Sequence, residues 1–298
     1  MISFLGVRAT MRAQGQLAMA AAVLVLVFPN GGRAEDAVIE KSGYTLFNPV
    51  PESALRGFSP DRPAKSTGPF TIDAGHAQLE MDFFNYTFQK TDGVQTVTWF
   101  GPNPTLKVGL TNWLDVEVNI APYENIRTEN NAAGDSFDVS GISDLFLRAK
   151  ANLWGNDGGK TAAALIPFVK IPTAKRGLGN GVTEGGLIVP LQINLPNDMT
   201  LLLNTEIDVL KDGTGGGYHA NYVNVAGLSL PVVKDVTFTG EIWSSINDDS
   251  AGTVRQWSLD AALAWTVRPN FQIDGGANFG LNNDTPEVQL YAGAAQRF

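Results

Sequence analysis

The feature that most constrains this chain is a period of two. "LDVEVNI" (114–120) places Leu114, Val116, Val118 and Ile120 on one face and Asp115, Glu117 and Asn119 on the other. "GLIVPLQINL" (186–195) sets Leu187, Val189, Leu191, Ile193 and Leu195 against Gln192 and Asn194. "WSLDAALAWTV" (257–267), "FQIDGGANFGL" (271–281) and "VQLYAGAAQRF" (288–298) alternate in the same way. Successive side chains of a strand point to opposite faces, whereas a helix repeats every 3.6 residues, so these stretches are strands. Weaker alternation marks strands near 76–88, 95–110, 143–154, 161–172, 199–210, 220–230 and 236–246, for about twelve in all. The pattern breaks at Phe83-Phe84, where a bulge or a strand end is expected.

The connections alternate too. "TN" (111–112), "GNDGG" (155–159), "PND" (196–198), "VVKD" (232–235) and "RPN" (268–270) are tight. Between them fall longer stretches, 123–141, 173–185, 211–220, 247–253 and 282–287, which are expected to be loops. Trp113, Trp154, Trp265, Phe271 and Phe298 fall at the short-turn ends, and Trp99, Tyr123, Tyr222 and Trp257 near the long-loop ends. Two aromatic girdles, short turns at one end and longer loops at the other, and an even strand count describe an outer-membrane barrel. A soluble sandwich also alternates, but its strands are shorter than a tilted membrane span requires. The expected fold is all-β: a transmembrane antiparallel up-and-down β-barrel of about 12 strands over residues 75–298.

The N-terminal stretch supports this placement. Arg8 and Arg12 precede an apolar run from Leu17 to Phe28, and small residues follow at Gly32 and Ala34. That order is a secretory signal peptide over residues 1–34. Its removal takes away Arg8, Arg12 and Arg33 and no acid, moving the net charge from −9 to −12. So acidic a chain is a poor partner for nucleic acid. Cysteine is absent, so no disulfide framework holds the exported protein. No later apolar stretch is long enough for a spanning helix, which leaves a barrel as the way into a membrane.

Longer motifs extend beyond a generic barrel. "FNPVPESALRGFSPDRPAKSTGPFTIDAGHAQLEMD" (47–82), with "DRP" at 61–63 and "FTIDAGHAQLE" at 70–80, resembles the opening of an outer-membrane family labelled "putative MetA-pathway of phenol degradation". "LKVGLT" (106–111), "GISDLFLRAK" (141–150), "IPFVKIPT" (166–173) and "EGGLIVPLQINLP" (184–196) extend the resemblance over nearly the whole mature chain. It implies a barrel that moves small solutes, with aromatic or hydrophobic compounds as candidates. It brings no catalytic motif. The terminal Phe298, in phase with Leu290 and Ala292, also resembles the closing aromatic of outer-membrane proteins generally. In that likeness it is an assembly signal read by the β-barrel assembly machinery, on a strand in contact with outer-membrane lipids.

The polar face carries the candidate lumen residues. Lys107, Asp115, Glu117, Arg148 and Lys150 fall on neighbouring strands toward the short-turn end and should meet. Glu206, Asp208, Glu241, Asp260 and Asp274 add an acid excess on later strands. Two readings stay open: a salt-bridged network inside a filled barrel, or a selectivity ring. Residues 35–74 hold Pro49, Pro51, Pro60, Pro63 and Pro69 and cannot pair as a strand. They are either a periplasmic tail or a plug, in which case Arg62 should reach wall carboxylates such as Glu117, Glu206 or Asp208. The two histidines, His76 and His219, lack the His-x-Ser of outer-membrane phospholipases, having Gln78 and Asn221 two residues on. No triad, cofactor motif or metal-ligand spacing is present. The expected function is a small-solute channel. A structural barrel and, behind it, a lipid-modifying enzyme are the alternatives.

Overall fold

The computed structural model describes residues 40–130 and 133–298; the signal-peptide expectation lies outside them. Among the described residues fifteen strand segments follow one another: β1 (Ala77–Thr91), β2 (Val94–Phe100), β3 (Asn103–Gly109), β4 (Leu114–Asn119), β5 (Glu124–Asn130), β6 (Asp135–Gly141), β7 (Leu145–Trp154) and β8 (Thr161–Ile171). After them come β9 (Glu184–Asn194), β10 (Thr200–Lys211), β11 (Tyr218–Val233), β12 (Val236–Asp249), β13 (Gly252–Arg268), β14 (Phe271–Gly280) and β15 (Val288–Arg297). Three pairs are single barrel strands with a break. β2 and β3 both pair with β1, β4 and β5 continue them on the next strand, and β6 and β7 on the one after. The result is twelve antiparallel barrel strands, closed where β15 pairs with β1. Closure removes the open edges that a sheet would otherwise expose.

Local chemistry explains the irregular places. The break between β2 and β3 falls at Gly101-Pro102, where proline supplies no ladder donor. The bulge expected at Phe83-Phe84 is present, as the register of β1 against β15 shifts between Asp82 and Phe84. Asp92 and Gly93 both have positive φ, the requirement of the two-residue turn that joins β1 to β2.

The segment 123–141, expected to be a loop, instead forms the hairpin of β5 and β6. Its outward row of Asn125, Arg127 and Glu129 shows no apolar stripe, so the signal that marks a lipid-facing strand is missing. β6 is an edge, and the loop 172–183 covers it: Lys175 donates through Nζ to the Ser140 carbonyl at 2.7 Å. The stretch 247–253 is likewise mostly strand, with β12 and β13 meeting at a two-residue turn.

The two faces differ as the alternation predicts. Outward side chains such as Leu259, Leu263, Ile273 and Leu290 are exposed, and so are Trp113, Trp154 and Trp265 at one rim and Tyr123, Tyr222 and Trp257 at the other. Inward-facing Glu80, Lys107, Asp115, Glu117, Lys150, Glu241 and Asp260 are buried. What buries them is the N-terminal segment, which hydrogen-bonds to inner-face side chains around the barrel.

Candidate functional site

Directly opposed residues on adjacent strands lie side by side, so inward charges form rows across the wall. Lys107 on β3 lies opposite Glu117 on β4, Glu117 opposite Arg148 on β7, and Asp115 opposite Lys150. The five residues expected to meet do so. Glu117 Oε1 is 3.5 Å from Lys150 Nζ and 3.8 Å from Lys107 Nζ, and Glu117 Oε2 is 3.9 Å from Arg148 Nη1.

The N-terminal segment completes this cluster. Asp61 accepts hydrogen bonds from Lys150 Nζ at 2.8 Å and from Lys107. Lys107 Nζ also lies 2.6 Å from Glu80 on β1. Buried charges are tolerated when paired and hydrogen-bonded, and here a carboxylate is shared between two ammonium groups.

Arg62 makes the next connection. Its guanidinium bridges Asp82 on β1 and Asp274 on β14, with Nη2 2.6 Å from Asp274 Oδ1. This corrects the expected partners, because Glu117 lies on β4, and Glu206 and Asp208 on β10. The ladder shows why. Asp82 lies opposite Gly293 of β15, and Gly293 opposite Asp274. Two acids therefore flank a position with no side chain, and a planar fork of donors fits across the gap. A Cβ at position 293 would meet the Arg62 guanidinium and the Met81 carbonyl.

Lys65 is the third connection. Its backbone N–H donates to Glu241 at 2.7 Å, and its Nζ donates to Ser258 Oγ at 2.8 Å. The same Nζ lies 3.4 Å from Asp260, which sits directly opposite Glu241, and 4.2 Å from the centre of the Trp243 ring. Thr67 N–H donates to Asn204 at 2.6 Å. Nearer the short-turn end, Arg56 Nε donates to Asp157 at 2.9 Å, and Lys41 Nζ lies 3.0 Å from the same carboxylate. Burial alone would raise the pKa of Asp157. Hydrogen bonds from Arg56, Asn112 and Lys41 outweigh it and hold the group below its ordinary value.

The other expected residues are placed as follows. Asp208 accepts from Asn221 at 2.9 Å, and Glu206 faces the lumen two residues away on the same face of β10. Phe298 is exposed and prolongs the seam, its N–H donating to the Ala77 carbonyl at 2.8 Å. His76 has Nε2 2.7 Å from the Val50 carbonyl and Nδ1 3.1 Å from that of Phe298. His219, Asp212 and Asp249 converge, with one ligand atom from each within 4.8 Å of the others, and could in that sense hold a metal ion. Asp249 already accepts backbone N–H groups of Gly213 at 2.8 Å and Ala251 at 2.7 Å, so turn geometry accounts for its position.

Above Asp61–Thr67 the lumen opens into a cavity of about 400 Å³. One side of its wall carries Phe146, Phe168 and Ile188, with the two phenyl centres 6.5 Å apart. Charged and hydroxyl groups, among them Arg148, Glu206 and Tyr291, share the wall. Such a cavity can hold a small solute against ring faces and a few polar groups. Sequence reasoning missed Asp61, Lys65, Phe146 and Phe168. Asp61 and Lys65 stand in the same "DRPAK" as Arg62, and Phe146 is in phase with Arg148 on β7.

The family described as "Putative MetA-pathway of phenol degradation" matches residues 60–298. An outer membrane channel from Pseudomonas putida F1 superposes with a TM-score of 0.59 at 14% identity, covering 79% of this chain and 99% of that one. The β domain of the Bordetella autotransporter BrkA superposes with a TM-score of 0.48 at 12% identity, covering 75% and 99%. No curated protein sequence matches the chain.

Proposed function

The chain belongs to the phenol-degradation MetA-pathway family of outer-membrane barrels, and from that premise we propose that it is an outer-membrane channel for small solutes, aromatic compounds among them. The observation that carries this reading is the cavity of about 400 Å³ above Asp61–Thr67, bounded by aromatic rings and charged groups. A twelve-strand barrel is intermediate between filled eight-strand barrels and broad sixteen-strand pores. The Asp61, Arg62 and Lys65 contacts then make the N-terminal segment a plug that narrows the bore. In this reading residues 1–34 direct export, lipid covers the apolar face, and the assembly machinery inserts the last strand. Both ring nitrogens of His76 lie against main-chain carbonyls, which agrees with a channel in preference to a hydrolase that would use this histidine as its base.

Conductance in planar bilayers tests the proposal. Deleting residues 35–66 should raise single-channel conductance and weaken discrimination among solutes, and Arg62→Ala should do so in part. A deletion variant that folds normally yet conducts like the parent would reduce the segment to a structural element. A barrel impermeable in both forms would favour a structural role for the whole protein.

A further inference from the structure

Among the described residues, the cavity has one cation that the plug does not use. Lys107 is engaged by Asp61 and Glu80, Arg62 by Asp82 and Asp274, and Lys65 by Asp260 and Ser258. Among the described residues Arg148 has one ion pair, at the long distance of 3.9 Å to Glu117, and its buried Nε has no hydrogen-bond partner. Its side chain keeps 30% of its exposure, and it lies on the cavity wall.

Its neighbours are aromatic. Phe168 of β8 is directly opposite Arg148, and Phe146 precedes it by two residues on the same face of β7. Phe168 has room because Gly186 is its partner on β9: a Cβ there would come within 2.8 Å of the phenyl ring. A partly exposed guanidinium held by one long ion pair therefore stands beside two rings and Ile188. Guanidinium recognises carboxylates through paired parallel hydrogen bonds, and ring faces recognise planar apolar groups.

The geometry points to a binding site for small aromatic monocarboxylates, of the benzoate type, with the carboxylate on Arg148 and the ring against Phe146 and Phe168. This rests on the channel reading and names a class of solute for the same cavity. Glu206 on the same wall interacts with Arg148 and so competes with a ligand carboxylate for the guanidinium.

Isothermal titration of the full-length, detergent-folded protein with benzoate tests the site, with benzyl alcohol and acetate as probes of each half. Benzoate should bind at least tenfold more tightly than either. Arg148→Gln should weaken benzoate at least tenfold and leave benzyl alcohol within twofold. Phe168→Leu should weaken both aromatic probes, and Glu206→Gln should tighten benzoate several-fold. Heat-modifiability on gels checks that each variant is folded. Unchanged benzoate affinity in folded Arg148→Gln overturns the proposal, as does equal binding of acetate and benzoate. Should Arg148→Gln not fold, Phe168→Leu and Glu206→Gln decide: unchanged benzoate binding in both overturns it. Conductance separates the two readings, because a protein that conducts but fails to bind benzoate is a channel without this site.

Discussion

Gly293 shows how much one missing side chain can organise. It separates Asp82 from Asp274, and the Arg62 guanidinium occupies the space above it. Gly293→Ala should cost about 1–3 kcal/mol by crowding the guanidinium and the Met81 carbonyl. Removing one partner from a buried ion pair costs about 3–5 kcal/mol, so Arg62→Ala should be the larger change. Because the groups touch, urea unfolding of both single variants and the double should show a coupling of at least about 0.5 kcal/mol; strict additivity would sink the arrangement. Asp157 gives a pH dependence. Its lowered pKa means that its stabilisation of the Lys41–Arg56 contacts is in place above the unfolded value of about 3.9 and is lost as pH falls through the lower folded value. Hydrogen exchange over residues 41–56 should therefore accelerate below about pH 4, and Asp157→Asn should be fast at every pH. Phe298 belongs to this scale as a proposal about assembly. Phe298→Asp should reduce the folded, heat-modifiable form on gels, and equal insertion of parent and variant would remove its role as a signal.

The elements were legible where each had one wet and one apolar face. Leu187, Val189, Leu191 and Ile193 against Gln192 announce β9 and its orientation without any other information. Leu191→Arg should therefore cost up to about 2–4 kcal/mol in folding titrations, and the adjacent Gln192→Arg far less; equal costs would reverse the assigned faces. β5 and β6 were not legible, because Asn125, Arg127 and Glu129 on the outward face of β5 and their partners Ser140, Asp138 and Ser136 on β6 are all polar. The wall cluster of Lys107, Glu117, Arg148 and Lys150 could be read in advance because adjacent strands fix which residues lie opposite. The partners of Arg62 could not. Asp82 is 20 residues away and Asp274 is 212, and they become neighbours only through curvature and closure of the whole sheet.

At the scale of the molecule, the barrel and the segment inside it are one structure held by ions. Around the wall, carboxylates of β1, β12, β13 and β14 and lysines of β3 and β7 all meet complements in the short run from Asp61 to Lys65. The same run floors the cavity, so the contacts that stabilise the interior also shape the space available to a solute. The Arg62 contact has a further consequence, in time. Asp82 belongs to β1 and Asp274 to β14, and the strand between them is β15, the last in the chain. Until β15 reaches β1, the two carboxylates are not neighbours and Arg62 has no seat. The segment is synthesised before every strand it binds, yet its docking can finish only after all of them are in place. Seating of Arg62 thus marks the moment at which the cylinder is complete.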